Sequence, residues 1–156
     1  MTFPSYRCDP SDPEAFARWS PWQGRLRGLL TVHAILAIIL LLSAFFAATP
    51  SETWTWMRVG PLAALSLLYL VLAFQVNPRR PGTGIALQGL NRCVFIGLAA
   101  LLVMVIYPGG YPLWMRGVQA VQVLLLLGAV YVIRRPEVDA VFPAWRQQPR
   151  RRRGVY

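Results

Sequence analysis

The sequence has no lysine, one histidine, two cysteines and only six acidic residues. Each scarcity removes a class of chemistry. Without lysine there is no Schiff-base amine and no phosphate-loop lysine. His33 with Cys8 and Cys93 supplies too few ligands for a zinc site or a bis-histidine haem site within one chain. The cysteines form no CxxC, which leaves disulfide-exchange chemistry unsupported. Asp9, Asp12, Glu14, Glu52, Glu137 and Asp139 all lie outside the long apolar runs, so a carboxylate-driven proton transporter has no carrier inside a membrane. A serine nucleophile would have one imidazole to call on and no acid near it to orient that ring. No enzyme is expected.

What the chain has in abundance is apolar surface and arginine. Hydrophobic residues make up 56% and charged residues 14% of the 156 positions, against about a quarter charged in ordinary soluble domains. All 16 basic residues are arginine, giving a net charge of +10. Crossing a bilayer as a helix takes about 20 mostly apolar residues, because each backbone group must be bonded within its own segment there. Four stretches qualify: about 29–48, 59–76, 85–107 and 113–133. The first is too long for a signal-peptide core and offers no small-x-small cleavage site at Phe45-Phe46-Ala47-Ala48. The second closes at Asn77-Pro78 and the fourth at Arg134-Arg135-Pro136, where proline disfavours helix in the preceding residue. The expected fold is all-α: a polytopic membrane protein with four transmembrane helices in an antiparallel bundle, the short turn Pro108-Gly109-Gly110-Tyr111-Pro112 forcing neighbours together.

Arginine placement predicts the orientation. Fourteen arginines fall on the N-terminal segment 1–28, the middle hairpin and the segment 134–156, and only Arg58 and Arg116 fall on the two opposite hairpins. Arginine-rich segments stay in the cytoplasm, so both termini are expected there. Trp54, Trp56, Tyr107, Tyr111 and Trp114 then sit at the outer interface, as amphipathic rings prefer. The ends carry their own helix signals. Ser11-Asp12-Pro13-Glu14 has capping-box spacing ahead of Phe16, Trp19 and Trp22. Pro136 with Glu137 and Asp139 can open a second short helix carrying Val138, Val141 and Phe142. Both are expected to lie at the membrane interface. The polybasic stretch 147–153 suits anionic phospholipids and lacks the folded reading element that nucleic-acid binding requires.

Within the spans, polar residues are the functional candidates. His33 stands six residues past Arg27, about 9 Å along a helix. Gln75 and Asn77 close the second span, and Gln88, Asn91 and Arg92 open the third. These six are expected to share a polar pocket on the cytoplasmic side. His33 has two readings: an interhelical hydrogen bond, or a proton carrier, quinone donor or axial ligand of a haem or chlorophyll shared with a partner. Arg79 and Arg80 before Pro81-Gly82-Thr83-Gly84 are either a plain turn or a lipid-phosphate contact. On the outer side Arg116, Gln119 and Gln122 recur every third residue, bonding a neighbouring helix or lining a vestibule.

Small residues mark contacts between helices. Ala34, Ala37, Leu41, Ala44 and Ala48 form one stripe, and Ala63, Ser66, Leu70, Ala73 and Asn77 a matching one, so helices one and two should pair tightly. Gly24 and Gly28 form a GxxxG that is either a helix contact or a flexible approach to the membrane. The run Tyr131-Val-Ile-Arg-Arg-Pro-Glu-Val-Asp-Ala-Val-Phe142 resembles the ending of several small uncharacterised bacterial four-helix integral membrane proteins, where an aromatic, a basic pair and a spaced valine and phenylalanine follow the last span. That resemblance implies architecture, not activity. With all-arginine usage typical of a GC-rich genome, it points to a bacterial inner membrane. The expected function is a non-catalytic integral subunit or assembly partner of a larger respiratory or photosynthetic complex, its partners being other membrane subunits and anionic phospholipids. The alternative is a small oligomeric transporter or channel for an anion or small solute.

Overall fold

The computed structural model describes residues 13–47, 53–77, 83–106 and 113–141. Expectations resting on Arg79, Arg80, Ser11, the turn 108–112 and the polybasic stretch 147–153 lie outside the described residues, as do those on the side chains of Trp54 and Trp56. Helix α1 spans Pro13–Ala47, α2 Thr53–Gln75, α3 Thr83–Ile106, α4 Leu113–Ile133 and α5 Pro136–Val141. Among the described residues there is no strand.

Helix α1 is the first departure from expectation. An interfacial helix and a separate span were predicted to meet near residue 28, yet α1 runs unbroken for 35 residues. The reason is a continuous buried stripe. Trp19, Leu26, Leu30, Ala34, Ala37, Leu40 and Ala44 are all buried, at steps of seven, four and three that keep one face inward through the glycines. That packing offsets a cost of about 1 kcal/mol for each of Gly24 and Gly28 in a helix interior. Pro13 opens the helix where its missing N–H is harmless, and Glu14 sits near the positive end.

Three helical stretches are long and apolar enough to cross a membrane: Ala17–Phe46, Thr83–Ile106 and Leu113–Ile133. The apolar part of α2, Val59–Gln75, is shorter, about 26 Å at the helical rise against roughly 30 Å of hydrocarbon. Large apolar side chains face outward on every long helix, with Phe46 and Leu113 82% exposed and Leu124 67%. Water would penalise such a surface heavily, whereas lipid matches it.

Helix α1 packs on α2 and α4, α3 packs on the same two, and α5 rests on α1. The register of α1 with α2 is antiparallel. Gln23 Nε2 donates to the Val76 carbonyl at 2.6 Å, and Arg27 donates to the carbonyls of Ala73 and Phe74 at 3.4 and 3.3 Å. At the other end Leu40 and Ala44 cluster with Val59 and Met115. The predicted pairing of small residues holds for Ala34, Ala37, Ala44, Ala63, Ser66 and Ala73, all buried. Its phase on α2 needs a correction. Tyr69 and Val76 are buried where Leu70 and Asn77 were expected and are only half-buried.

Helix α5 also departs from a free interfacial helix. It starts at Pro136 as expected, but Val138 is buried in the same apolar cluster as Trp19 and Leu26. The C-terminal helix is therefore docked on the N-terminal turns of α1. The α2–α3 connection is tied by Thr83, whose hydroxyl donates to the Asn77 carbonyl.

One glycine is fixed by close approach. A Cβ on Gly97 would overlap the Tyr69 hydroxyl and come within 2.9 Å of its ring carbon Cζ and 3.3 Å of Leu65. Tyr69 is itself buried, so its ring has little room to retreat. Gly97→Ala should therefore destabilise the α2–α3 contact by about 1–3 kcal/mol. Tyr69→Leu in the same chain should recover part of that loss. Thermal unfolding in detergent of the two single variants and the double variant checks the coupling.

Candidate functional site

The polar residues predicted to converge on His33 do not all do so. Gln75 and Arg92 are exposed, and Asn77, Gln88 and Asn91 are half-buried. Helical phase accounts for this. Gln75 lies two positions from buried Ala73, and Arg92 two from buried Leu90, a rotation of about 200° that places each on the far side of its helix. His33, by contrast, is 1% exposed.

Two other helices deliver polar groups to His33. From α2, the Tyr69 ring lies with its centroid 5.7 Å from the imidazole centroid, inclined by 60°. From α4, Gln122 Nε2 donates to the His33 carbonyl at 3.4 Å. One turn along α4, Gln119 is also buried, and its Nε2 contacts Met104 Sδ on α3 at 3.9 Å. Arg116 follows, half-buried, with its Nε enclosed. The expectation that these glutamines bond a neighbouring helix holds, Gln122 reaching α1 and Gln119 reaching α3, and with Arg116 they form a line that ends at His33. Antiparallel packing of α4 against α1 brings the two together.

The hydrogen-bonding capacity of this line is largely unspent. Both ring nitrogens of His33, the Tyr69 hydroxyl and the Oε1 atoms of Gln119 and Gln122 are buried without a hydrogen-bond partner. A neutral imidazole offers one donor and one acceptor, a phenol the same, and each amide oxygen accepts. The cluster therefore holds buried donors and acceptors that no described residue meets. It cannot serve a porphyrin held by another subunit: both His33 nitrogens are enclosed by the chain's own atoms, and no face of the ring reaches the surface. Among the described residues no group of three or more histidine, cysteine, aspartate or glutamate side chains is placed to hold a metal ion.

Sequence reading passed over Tyr69, although a signal for it exists. It stands three residues after Ser66 and four before Ala73, on the buried side of α2, as the one phenol of an otherwise apolar run. Ser66 needs no external partner, because its Oγ donates to the Leu62 carbonyl at 2.7 Å.

The chain matches no known protein family, curated protein or solved structure. Function therefore rests on the geometry alone.

The weight carried by the cluster is measurable. Gln122→Leu removes a long hydrogen bond and an unpaired amide oxygen together, so the two effects oppose each other. Stability should change by less than about 1 kcal/mol, the usual range for polar contacts between membrane helices. Unfolding of the purified variant in detergent gives the value.

Proposed function

We propose that this protein is a four-span subunit of a bacterial inner membrane, non-catalytic, that stabilises or helps assemble a larger complex of the respiratory or photosynthetic kind. Helices α1 to α4 form the antiparallel bundle, and both termini lie in the cytoplasm beside anionic phospholipids. The short apolar part of α2 spans with the help of the turns before it, since the whole helix has 23 residues, about 35 Å of length.

The observation that carries this reading is the distribution of small residues. Ala34, Ala37 and Ala44 of α1 and Ala63 and Ala73 of α2 are consumed inside the chain. Gly24, Gly28 and Gly117 are exposed and have nothing within 4 Å of an added Cβ. Gly24 and Gly28 lie within helix α1, which favours a helix contact over a flexible approach as the account of the GxxxG. Between membrane helices, close backbone approach at such positions is a principal source of association. Open glycines among large aliphatic side chains therefore favour contact with other membrane subunits.

A second reading has its own support. The buried line from Arg116 through Gln119 and Gln122 to His33 would suit an oligomeric route for an anion or small solute. The two readings part experimentally. Isolated in mild detergent, a subunit brings partner proteins with it, and Gly28→Leu should reduce their recovery severalfold while the chain's own unfolding temperature stays nearly constant. A lone monomer from native membranes would defeat the subunit reading. Solute flux in reconstituted vesicles that His33→Ala and Arg116→Ala abolish would install the transport reading in its place.

A further inference from the structure

Trp22 sits where α1, the end of α4 and the start of α5 meet. Arg18, Trp22 and Arg25 follow at steps of four and three, so they share one face of α1. The guanidinium carbon of Arg25 lies 4.8 Å from the Trp22 ring centroid, and that of Arg135 lies 4.9 Å from the same centroid. Arg135 is held further by the Tyr131 ring at 4.3 Å and by donating to the Tyr131 hydroxyl. Two full positive charges thus share one indole.

Among the described residues no ion pair neutralises them. Among the described residues the one salt bridge joins Arg18 to Glu14 at 3.2 Å, and Glu137 on α5 makes none. Lying over a ring engages the flat face of a guanidinium and leaves its edge to other partners; Arg135 has its Nε enclosed and one Nη donating to Tyr131, which leaves its remaining donors. Arg25 is exposed and makes no hydrogen bond among the described residues, so its edge is available. Such edges match the oxygens of a phosphate. Below the corner, toward the middle of the helices, α1 and α4 touch where Leu29 comes within 3.3 Å of a Cβ placed on Gly128. The missing side chain keeps that seam shallow, and Val32, Leu124 and Leu127 stand exposed beside it. A charged corner opening onto an apolar seam has the two-part chemistry of a phospholipid.

We infer that the Trp22, Arg25 and Arg135 corner binds the phosphate of an anionic phospholipid headgroup, with an acyl chain along the α1–α4 seam. The inference rests on the chain being embedded in a membrane. That reading is tested separately by whether alkaline carbonate leaves the protein in the membrane pellet. Given that it does, the site is tested on the full chain in detergent by native mass spectrometry with added phosphatidylglycerol or phosphatidylcholine.

Phosphatidylglycerol should be retained preferentially, and Arg25→Gln with Arg135→Gln should weaken its retention roughly thirtyfold, from the loss of one favourable lipid contact per arginine. Arg92→Gln with Arg134→Gln removes the same charge from the α3 side and should change retention less than about twofold, a difference that diffuse attraction would not give. Inorganic phosphate should fail to displace the lipid; displacement would make the site a free-phosphate site and overturn the lipid assignment. Equal loss in both double variants would overturn the corner itself. So would equal retention of the two lipids by the unaltered chain, a result that needs no variant to fold.

Discussion

The antiparallel seam between α1 and α2 sets the position of nearly everything else. It is closed by alanine and serine in the middle, and at one end by Gln23 and Arg27, which donate to the last carbonyls of α2. Those carbonyls have no intrahelical partner, and in a low-dielectric setting each would be costly to leave unpaired. Arg27 meets them with a charge of the right sign for the negative end of a helix, and its guanidinium lies 4.9 Å over the Phe74 ring. With the register fixed there, His33 falls beside Tyr69 and Tyr69 falls on Gly97. The sequence of contacts from α1 to α3 is thereby determined by helical rise alone.

The arginines at that end behave as a set. Arg25 and Arg135 stack on Trp22, Arg134 lies 5.1 Å over Phe95, and Arg27 lies over Phe74. Each aromatic belongs to one of the long helices or their extensions, so the rings hold the charges at a common level where the apolar stretches end. An arginine laid on a ring keeps a fixed position with less loss of side-chain freedom than one reaching into water, and it buries its methylene stem. The polar and apolar zones of the molecule are separated by this collar.

Much of this was legible in the sequence, because the signals were long. Apolar runs of about 20 residues, proline after Asn77 and after Arg134-Arg135, and the small-residue stripes locate α1 to α4 and predict the α1–α2 contact. What escaped was phase and depth. The small-residue stripe of α2 runs through Leu70, which one helical position, about 100° of rotation, separates from the buried Tyr69. The six-residue polar pocket failed for the same reason, since nearness to one end of a helix says nothing of which side a residue faces. That Gln119 and Gln122 bond neighbouring helices follows from the sequence and holds, whereas the meeting of Gln122 with His33 depends on how α4 is turned against α1. The boundary at residue 28 follows the start of the apolar run, whereas the helix continues through it because the buried stripe of Trp19, Leu26 and Leu30 does.

The buried polar line bears on how such a protein is kept specific. An apolar replacement at His33, Tyr69, Gln119 or Gln122 would pack with fewer unmet hydrogen bonds, and each unmet group costs about 1–3 kcal/mol in a soluble core. Inside lipid the reference is different, because a helix not yet packed must also hide these groups. Four helices coated in leucine, isoleucine and valine have many nearly equivalent ways to meet. Placing one polar side chain on α1, one on α2 and two on α4 penalises every arrangement that turns them toward lipid. The arrangement with all four inward, and with Gly97 beneath Tyr69, is then selected less by the strength of its contacts than by the cost of the others.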